Sequence, residues 1–414
     1  MGSVTQEDIY VLPDAAAPSL ILTHPTDDEK RRTWTLNHRE WGGALTLEEY
    51  LEREPYLTTI PLTRNGGMTH WVLTDSSWSA EKGGSRPILA SCESINKRVL
   101  VAAPGDTVVR DGVGHGVGSV FTYPEHRGNR YAGRMLNELG PALRKWQCEK
   151  QDNNQEAVCS ALWSDIGKEY YAKKGWAAFQ SLHVEFPVPA NQTEGDVEKG
   201  KGKGKVTPIT YTNLAQLCET DETLVREQVL RKTRETGRTC VAFAPDHDTM
   251  RWHLYRDDFI ASILFKSSPG PASGAPSIKG ALAGSEEGRR VWAVWSRNYY
   301  GGSGKPTDNV EKNTLYILRL VIEAEASEGA NPSEDTVEAF TAVMRTALHE
   351  AATWNLGKVD LWNPSPLVKA LIDRSGLQHR PVERDTDSIP SMMWYGAEKI
   401  EDIEWVANEK YCWC

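Results

Sequence analysis

The chain has 414 residues, a formal net charge of −10 at pH 7 and a hydrophobic content of 39%. This length suits two domains, and the mixed composition is typical of a soluble globular protein. The negative balance argues against nucleic acid and anionic membranes as partners, and no apolar run approaches the length needed to span a bilayer.

The cysteine pattern and the N-terminal residues bear on the compartment. Seven cysteines show no C-x-x-C spacing and no metal-ligand spacing, and an odd count suits a reducing environment. The first residues lack the hydrophobic core of a signal peptide. We therefore expect a cytoplasmic protein without a metal site.

Two helices and several strands are predicted in the first part of the chain. Thr26 with Glu29, and Thr46 with Glu49, have the spacing of capping boxes, so a helix should begin at each. Strand-like runs follow at residues 68–74, 88–92 and 98–103. The glycine-rich residues 112–118 predict a flexible turn.

A β-rich run at residues 118–123 leads directly into a turn and a helix. Pro124 ends the run, because proline has no N–H for a central ladder. The helix is predicted from the one-face spacing of Met135, Leu136, Leu139 and Leu143. Free backbone N–H groups and the helix dipole at such a turn predict a phosphate site. The spacing is neither that of a P-loop nor that of a dinucleotide fingerprint.

A second strand that leads into a helix is predicted at residues 157–176. Residues 157–163 read as a buried strand, with the polar Ser164 at its end. A short helix should carry Tyr171 and end at Gly175, where a C-cap requires positive φ.

Both stretches resemble motifs of the GNAT superfamily of acyl-CoA N-acyltransferases. The turn resembles the Q/R-x-x-G-x-G/A loop that holds the pyrophosphate of coenzyme A in that family. The second stretch resembles its fifth strand and the following Tyr-x-x-x-Gly-aromatic helix. One position departs, because Arg130 replaces the usual glycine. A side chain there could crowd the turn, or it could add a charge-assisted bond to a phosphate.

The resemblance implies acetyl-CoA as co-substrate and a set of residues that bind it. These are Phe121, Thr122, Tyr123, Arg127, Gly128, Asn129, Arg130, Tyr131, Ala132, Gly133 and Ser164.

The second half repeats the first in weaker form. Residues 191–206 are rich in Gly, Lys and acidic side chains, which indicates a flexible linker. A helix at 214–230 and helices opening at Ser333 and Pro366 are predicted, together with strands at 258–265, 291–295, 314–322 and 359–363. No acyl-CoA loop motif lies between Ile322 and Val337.

We therefore predict an α+β (mixed α/β) protein of tandem GNAT-like domains. The N-acetyltransferase domain is expected over residues 1–190, the linker over 191–206, and a degenerate GNAT-like domain without a coenzyme A site over 207–414, ending in a docking tail. An unrelated α+β second domain is the alternative. The second domain should wall the substrate pocket, because small-molecule sites favour domain interfaces.

Across nearly its full length the chain is similar to the fungal lysine N-acetyltransferase family. The segments that carry this likeness are residues 90–93, 123–128, 164–167, 293–296, 360–364 and 404–414. The resemblance implies direct transfer of acetyl from acetyl-CoA to a small amine, first of all the ε-amino group of free L-lysine.

Such a reaction needs a base, an oxyanion donor and an acid. An amine of pKa about 10.4 is protonated at neutral pH, so a base or a water relay must remove a proton. The resemblance places the oxyanion donor among the backbone N–H groups of residues 121–123 and the acid at Tyr171, with Tyr170 as the substitute. For the base, Glu93 and the terminal carboxylate of Cys414 are the candidates; His183, Glu185 and Asp165 are the weaker ones.

Other functions stay open at this point. The acceptor could be a polyamine, a secondary-metabolite amine or a protein lysine, or the chain could bind coenzyme A without turnover, which Arg130 favours.

Overall fold

The computed structural model describes residues 11–78, 85–148, 156–189, 206–266, 274–300 and 310–414. The predicted linker over residues 191–206 lies outside the described residues except for Val206, which begins a strand. No helix in these ranges is long and apolar enough to cross a lipid bilayer.

The helices and strands of the first half alternate in a mixed α/β order. They are β1 (Leu20–Thr23), α1 (Asp27–Trp41), α2 (Leu47–Leu57), β2 (Met68–Asp75), β3 (Ala90–Ala102), β4 (Arg110–Phe121), α3 (Tyr131–Lys145), β5 (Cys159–Ser164), α4 (Glu169–Ala172), β6 (Ala177–Ala178) and β7 (Leu182–Pro187).

The second half has the same character. Its elements are β8 (Val206–Ile209), α5 (Tyr211–Thr236), β9 (Thr239–Phe243), α6 (His247–Leu264), β10 (Gly280–Ala283), β11 (Val291–Asn298), β12 (Thr314–Ile322), α7 (Glu325–Glu328), α8 (Glu334–Thr353), β13 (Lys358–Trp362), α9 (Pro366–Ser375), β14 (Arg380–Glu383), β15 (Ile389–Trp394) and β16 (Ile403–Trp405).

The start signals predicted for the helices are present. Thr26 Oγ1 accepts the N–H of Glu29 while the Glu29 carboxylate accepts the N–H of Thr26, and Thr46 forms the same reciprocal pair with Glu49. Ser333 caps α8 by accepting the N–H of Thr336. These caps satisfy backbone donors that the first helical turn leaves without partners, so the predicted helix starts are confirmed.

In the part of the chain described, nine strands form the first sheet, in which β1-β2-β3-β4-β5-β15-β6 are neighbours. β9 pairs with the far half of β3, and β16 pairs with β9. β4 and β5 pair in parallel. On either side of them, β3 pairs antiparallel with β4, and β15 pairs antiparallel with β5.

The strands predicted at residues 88–92 and 98–103 are confirmed, but they belong largely to one continuous strand, β3. The flexible turn predicted at residues 112–118 is wrong, because these residues form the middle of β4. The glycines of β4 serve close packing: a Cβ at Gly112 would lie 2.4 Å from Val158, and one at Gly114 would lie 2.4 Å from Val99. Glycine in a strand interior is typical where a neighbour approaches this closely.

The second sheet, seven strands within the described residues, has the order β14-β7-β13-β12-β11-β10-β8. β7 precedes the predicted linker, yet it pairs with β13 and β14. In turn β15, from near the C-terminus, pairs with β5 and β6 of the first sheet. The first half therefore contributes β7 to the second sheet, and the second half contributes β9, β15 and β16 to the first, so the domain boundary near residue 190 stays a prediction.

The strand predicted at residues 258–265 is wrong, because these residues form the last turns of α6. The helix begins at Asp246, whose side chain accepts the N–H of Thr249, and it buries Asp257, Ile260 and Ala261 on one face. A short apolar run does not by itself distinguish a buried strand from a buried helix, and here the capping residue lies far upstream of the run. The predicted strands over β11, β12 and β13, and the helix ending at Gly376, are confirmed.

The chain's own tail occupies a gap in the second sheet. The parallel pairing of β12 with β13 ends at Ile317 and Leu361. Beyond that point the Glu409 carboxylate accepts the N–H of Leu320 at 3.0 Å and pairs with Arg319, which also binds Asp221. Asn363, just after β13, donates to the carbonyl of Asn408 at 2.6 Å. Residues 408 and 409 thus bridge the two diverging strands.

Replacing Glu409 with alanine should destabilise the fold. Arg319 is only 7% exposed, and removing one partner of a buried charged group costs several kcal/mol. Because Asp221 still pairs with Arg319, we expect a loss near the low end, about 3 kcal/mol, measured by urea denaturation. Glu401→Ala, an exposed site in the same terminal segment, is the control and should change stability by less than about 0.5 kcal/mol. Equal effects of both variants would contradict this account of the tail.

Candidate active site

A cavity lies where β4 and β5 of the first sheet separate. Their parallel pairing ends at Val117 and Leu162, and Ser119 then takes a left-handed φ of 52° beside a register shift between Ser91 and Glu93. The cavity has a volume of about 560 Å³ and is walled by β4, the end of β5, α2, α4, α6 and the last residues of the chain. The separation leaves the edge of β4 that faces β5 available to a ligand.

The predicted phosphate turn precedes α3 as expected. Met135, Leu136, Leu139 and Leu143 are fully buried, which confirms the predicted helix face. No side chain caps the N-terminus of α3, and a Cβ built at Gly128 (φ 86°) meets no atom within 4 Å. An open groove of about 940 Å³ runs past this turn. The first backbone N–H groups of α3 therefore face a space large enough for an anion.

Arg130 adopts the left-handed conformation that the glycine usual at this position would adopt freely. Its φ is 63°, and its side chain is exposed. The side chain therefore does not crowd the turn. The conformation costs a non-glycine residue roughly 1–2 kcal/mol.

Most of the predicted cofactor-binding residues border one of these two spaces. Phe121, Thr122, Arg127 and Ala132 line the cavity. Gly128, Asn129, Arg130 and Gly133 line the groove. Tyr170 borders both, so the two spaces meet at its ring.

The remaining three make other contacts. Tyr131 is buried and donates its hydroxyl to the carbonyl of Pro13 at 2.6 Å. Tyr123 is buried and stacks on His126. The Ser164 hydroxyl donates to the carbonyl of Gly167 at 2.7 Å and accepts the N–H of Ile166, so it is committed to the turn after β5.

All three predicted catalytic residues, Tyr171, Glu93 and Cys414, line the same cavity. Glu93 and Cys414 lie against the strand that opens: a Cβ built at Gly118 would lie 3.6 Å from Glu93 Oε1 and 3.7 Å from a terminal carboxylate oxygen of Cys414. The tail is held there by Lys97, whose ammonium donates to the carbonyls of Cys412 and Trp413 at 2.7 and 3.0 Å.

Glu93 is a carboxyl whose environment suits proton transfer near neutral pH. Burial, and next the neighbouring Glu54, raise its pKa to about 7. Ser119 donates its hydroxyl to Glu93 Oε1 at 2.8 Å, which orients the carboxyl. His70 lies 3.7 Å from the other oxygen, and burial lowers the pKa of His70 to about 4, so this ring is neutral at pH 7.

Tyr171 is held by the short helix predicted for it. Its carbonyl accepts the N–H of Trp176 at 3.0 Å, and Gly175 has the predicted positive φ, 98°. The helix itself ends earlier than predicted, at Ala172, with Lys173 as its C-cap residue. Burial, with smaller contributions from Tyr170 and Asp165, raises the pKa of the Tyr171 phenol. The hydroxyl therefore keeps its proton at neutral pH and is available as a donor.

The weaker base candidates divide between the two sheets. Asp165 lines the cavity and accepts the N–H of Ser388. His183 and Glu185 lie on β7 of the second sheet, beside Asp360 of β13. These three residues could hold a metal ion, since their ligand atoms all lie within 4.8 Å of one another. Lys358 already pairs with Glu185 at 2.6 Å. Neither His183 nor Glu185 is among the residues that wall the cavity.

The sequence did not indicate several residues of the cavity wall. On α2, Tyr50, Arg53 and Glu54 face the cavity at helical spacing, a pattern in which the two charged residues read as solvent-facing. On α6, Trp252 and Arg256 line it, and the mistaken strand at 258–265 concealed that helix.

Comparison with known proteins shows the class and then the family. Residues 183–414, more than half of the chain, match the family described as the LYC1 GNAT-like C-terminal domain. The protein is therefore an acyltransferase of the GNAT type. Within that class, the chain belongs to the LYC1-like family.

Relatives and solved structures agree with this result. A lysine acetyltransferase of Yarrowia lipolytica is 24% identical over 95% of this chain and 99% of its own. An uncharacterized protein of Saccharomyces cerevisiae is 23% identical over 95% and 98%. A probable N-acyltransferase structure from Enterococcus faecalis covers 90% of this chain and 71% of its own with a TM-score of 0.50 at 12% identity.

The yeast N-myristoyltransferase with bound myristoyl-CoA from Saccharomyces cerevisiae also shares the fold. It covers 95% of this chain and 82% of its own, with a TM-score of 0.50 at 10% identity. The likeness to these two structures is one of fold.

Proposed function

We propose that the protein is an acetyl-CoA-dependent N-acetyltransferase that transfers acetyl directly to the ε-amino group of free L-lysine. The observation that carries the proposal is the convergence of Glu93, Tyr171 and Cys414 on one cavity at the separation of β4 and β5. The relative named a lysine acetyltransferase, which aligns over 95% of this chain, supports lysine as the acceptor.

The residues of the turn before α3 fit the pyrophosphate of coenzyme A. Gly128, Asn129 and Arg130 border an open groove, and the N-terminus of α3 has no side-chain cap. Thr122 Oγ1, at the cavity wall, is buried and has no hydrogen-bond partner among the described residues, so it can bind the pantetheine arm. The acetyl thioester supplies the acyl group, and Tyr170 lies where the groove passes into the cavity.

Glu93 is the proposed base. Its carboxylate accepts a proton from the attacking amine, and a pKa of about 7 allows it to be ionised at physiological pH while remaining basic enough to act. Ser119 fixes the orientation of the carboxyl. The terminal carboxylate of Cys414 is the second candidate, because it lies against the same glycine of β4.

A backbone N–H of β4 is the proposed donor to the oxygen of the thioester. In the first sheet the parallel pairing ends at Val117 with Leu162, and in the second sheet it ends at Ile317 with Leu361. Val120 and Leu320 each lie three residues beyond the last paired residue of their strand, so they are counterparts. Leu320 donates its N–H to the carboxylate of Glu409 in the gap of the second sheet. By this internal comparison Val120, one residue before the expected 121–123, is the donor that stabilises the developing negative charge.

Tyr171 is the proposed acid for the departing thiolate. Its phenol is protonated at neutral pH, lies in the cavity wall and is flanked by Tyr170, whose ring is perpendicular at 5.2 Å.

The second half, in which Glu409 fills the equivalent gap, serves as the degenerate domain without a coenzyme A site. The proposed N-acetyltransferase domain comprises residues 1–190, and the proposed degenerate domain comprises residues 207–414. The proposed compartment is the cytoplasm.

Purified protein should release coenzyme A from acetyl-CoA when L-lysine is present. A thiol-release assay with L-lysine, a polyamine and a lysine-containing peptide measures this, and mass spectrometry locates the acetyl group on Nε. Thermal shift with acetyl-CoA is the companion measurement, because a ligand of the native state raises stability. A shift without turnover of any amine would contradict the enzyme proposal and indicate a coenzyme A-binding pseudoenzyme.

Glu93→Gln should remove the pH dependence of catalysis near neutrality. A base must be ionised to act, so the kcat/KM of the wild type should rise with pH through about 7 and then level off. In the variant we expect this limb to vanish and kcat/KM at pH 8 to fall about a hundredfold. Glu52→Gln, an exposed carboxyl on α2, is the control. If deletion of Cys414 abolishes the limb and Glu93→Gln does not, the terminal carboxylate is the base.

Tyr171→Phe should lower kcat about a hundredfold with little change in the KM for acetyl-CoA, because only proton donation to the leaving thiolate is lost. Steady-state kinetics at saturating amine measure the effect. Tyr170→Phe is the matched control on the adjacent residue, and we expect it to keep most of the turnover. The reverse result, with the larger loss in Tyr170→Phe, would assign the acid to Tyr170.

A further inference from the structure

The arginines of the cavity wall differ in how their charge is neutralised. Arg53, Arg127 and Arg256 all line the cavity. Arg53 is buried and donates from Nε and Nη2 to Glu54 Oε1, at 2.9 and 2.6 Å. Arg127 is 55% exposed and lies 3.8 Å from Glu40. Both therefore have a carboxylate or solvent to balance them.

Arg256 is only partly exposed, and Glu54 acts on it from a distance without forming an ion pair. Its guanidinium donates from Nη1 to the amide oxygen of Asn298 at 3.0 Å, and it lies 5.8 Å from the centre of the Trp413 ring. Among the described residues it forms no ion pair within 4.0 Å, and the Asn298 amide oxygen is its one side-chain hydrogen-bond partner. Burial, and next the neighbouring Arg53, lower the pKa of Arg256 to about 10, so it is still a cation at neutral pH.

A cation in such a wall is costly unless a ligand balances it. Removing a guanidinium from water without an opposite charge is unfavourable, and the planar group has several N–H donors to satisfy. A carboxylate is the anion that matches this geometry, because its oxygens accept two parallel N–H bonds. Asn298 and Trp413 limit how far the guanidinium can move, which favours a fixed binding geometry.

We propose that Arg256 binds the α-carboxylate of the acceptor and is the residue by which the site discriminates a free amino acid from a polyamine or a protein lysine. This inference rests on the proposed function of the same cavity. Glu93 lines that cavity as well, so one small molecule can place its carboxylate on Arg256 and its side-chain amine towards Glu93 and β4.

The same arrangement excludes the competing acceptors. A polyamine would bring an ammonium group against Arg256 and leave that cation without an anion, and a protein lysine has an amide where the carboxylate should be. Discrimination of this kind is strong when a missing ligand group leaves a desolvated polar group of the site without a partner.

The test compares acceptors that differ only in the carboxylate. For Arg256→Gln we expect kcat/KM for L-lysine to fall roughly ten- to a hundredfold, the range for loss of a charged hydrogen bond. The kcat/KM for 1,5-diaminopentane and for lysinamide should stay level or rise. Arg256→Lys keeps the charge without the fork of donors and should recover part of the loss.

The matched control is Arg251→Gln, on the same helix but paired with Asp248 and outside the cavity wall. It should leave the kinetics of all three amines unchanged, and the thermal midpoint of each variant shows that the fold is retained. An equal fall for L-lysine and 1,5-diaminopentane in Arg256→Gln would overturn the inference, as would wild-type protein that takes both amines equally well.

Calorimetric titration with L-lysine separates this inference from the proposed function, because it needs no turnover. Binding by the wild type that weakens at least tenfold in Arg256→Gln supports the carboxylate site even if no acetyl group is transferred. Equal dissociation constants overturn it even if the enzyme acetylates lysine.

Discussion

The site depends on the point at which β4 and β5 stop pairing. Up to Val117 and Leu162 the two strands share a parallel ladder, and past these residues the sheet opens. Antiparallel neighbours on both outer edges, β3 and β15, hold the two strands in place, so the opening is fixed by the sheet and does not need a mobile loop. A strand edge exposed inside a protein must find a partner, and here the ligand of the reaction can supply it.

The second sheet also contains a parallel pair of strands that separate, and there the chain itself fills the gap. Its parallel pair opens at Ile317 and Leu361, and the Glu409 carboxylate takes the N–H that the opening exposes. One terminal segment serves both sheets: residues 408 and 409 close the second gap, while Lys97 holds residues 412 and 413 beside the first. The tail therefore makes one opening part of the core and leaves the other as a cavity.

Local signals in the sequence were sufficient for the elements that bear the coenzyme A motif. The capping boxes, the buried face of α3 and the positive φ of Gly175 each follow from a few neighbouring residues, and all were predicted. The glycines of β4 were misread because their role is set by Val99 and Val158, which lie across the sheet.

The convergence of Glu93, Tyr171 and Cys414 on one cavity agrees with the prediction made from the resemblance, but their roles stay predictions. Arg256 had no sequence signal at all, because a lone charged residue on a helix reads as solvent-facing until its surroundings are known. What could not be predicted is in each case a contact between residues far apart in the chain.

The exchange of β7 and β15 between the sheets has a consequence for how the chain reaches its native state. One edge of β5 stays unpaired until residues 389–394 have been synthesised and pair with it. β7 likewise has no partner until residues 358–362 and 380–383 are present. Contacts of such long sequence separation slow folding, and an uncovered edge is a template for intermolecular pairing. The two halves therefore mature together, and the first half made alone would be prone to aggregation rather than a smaller enzyme.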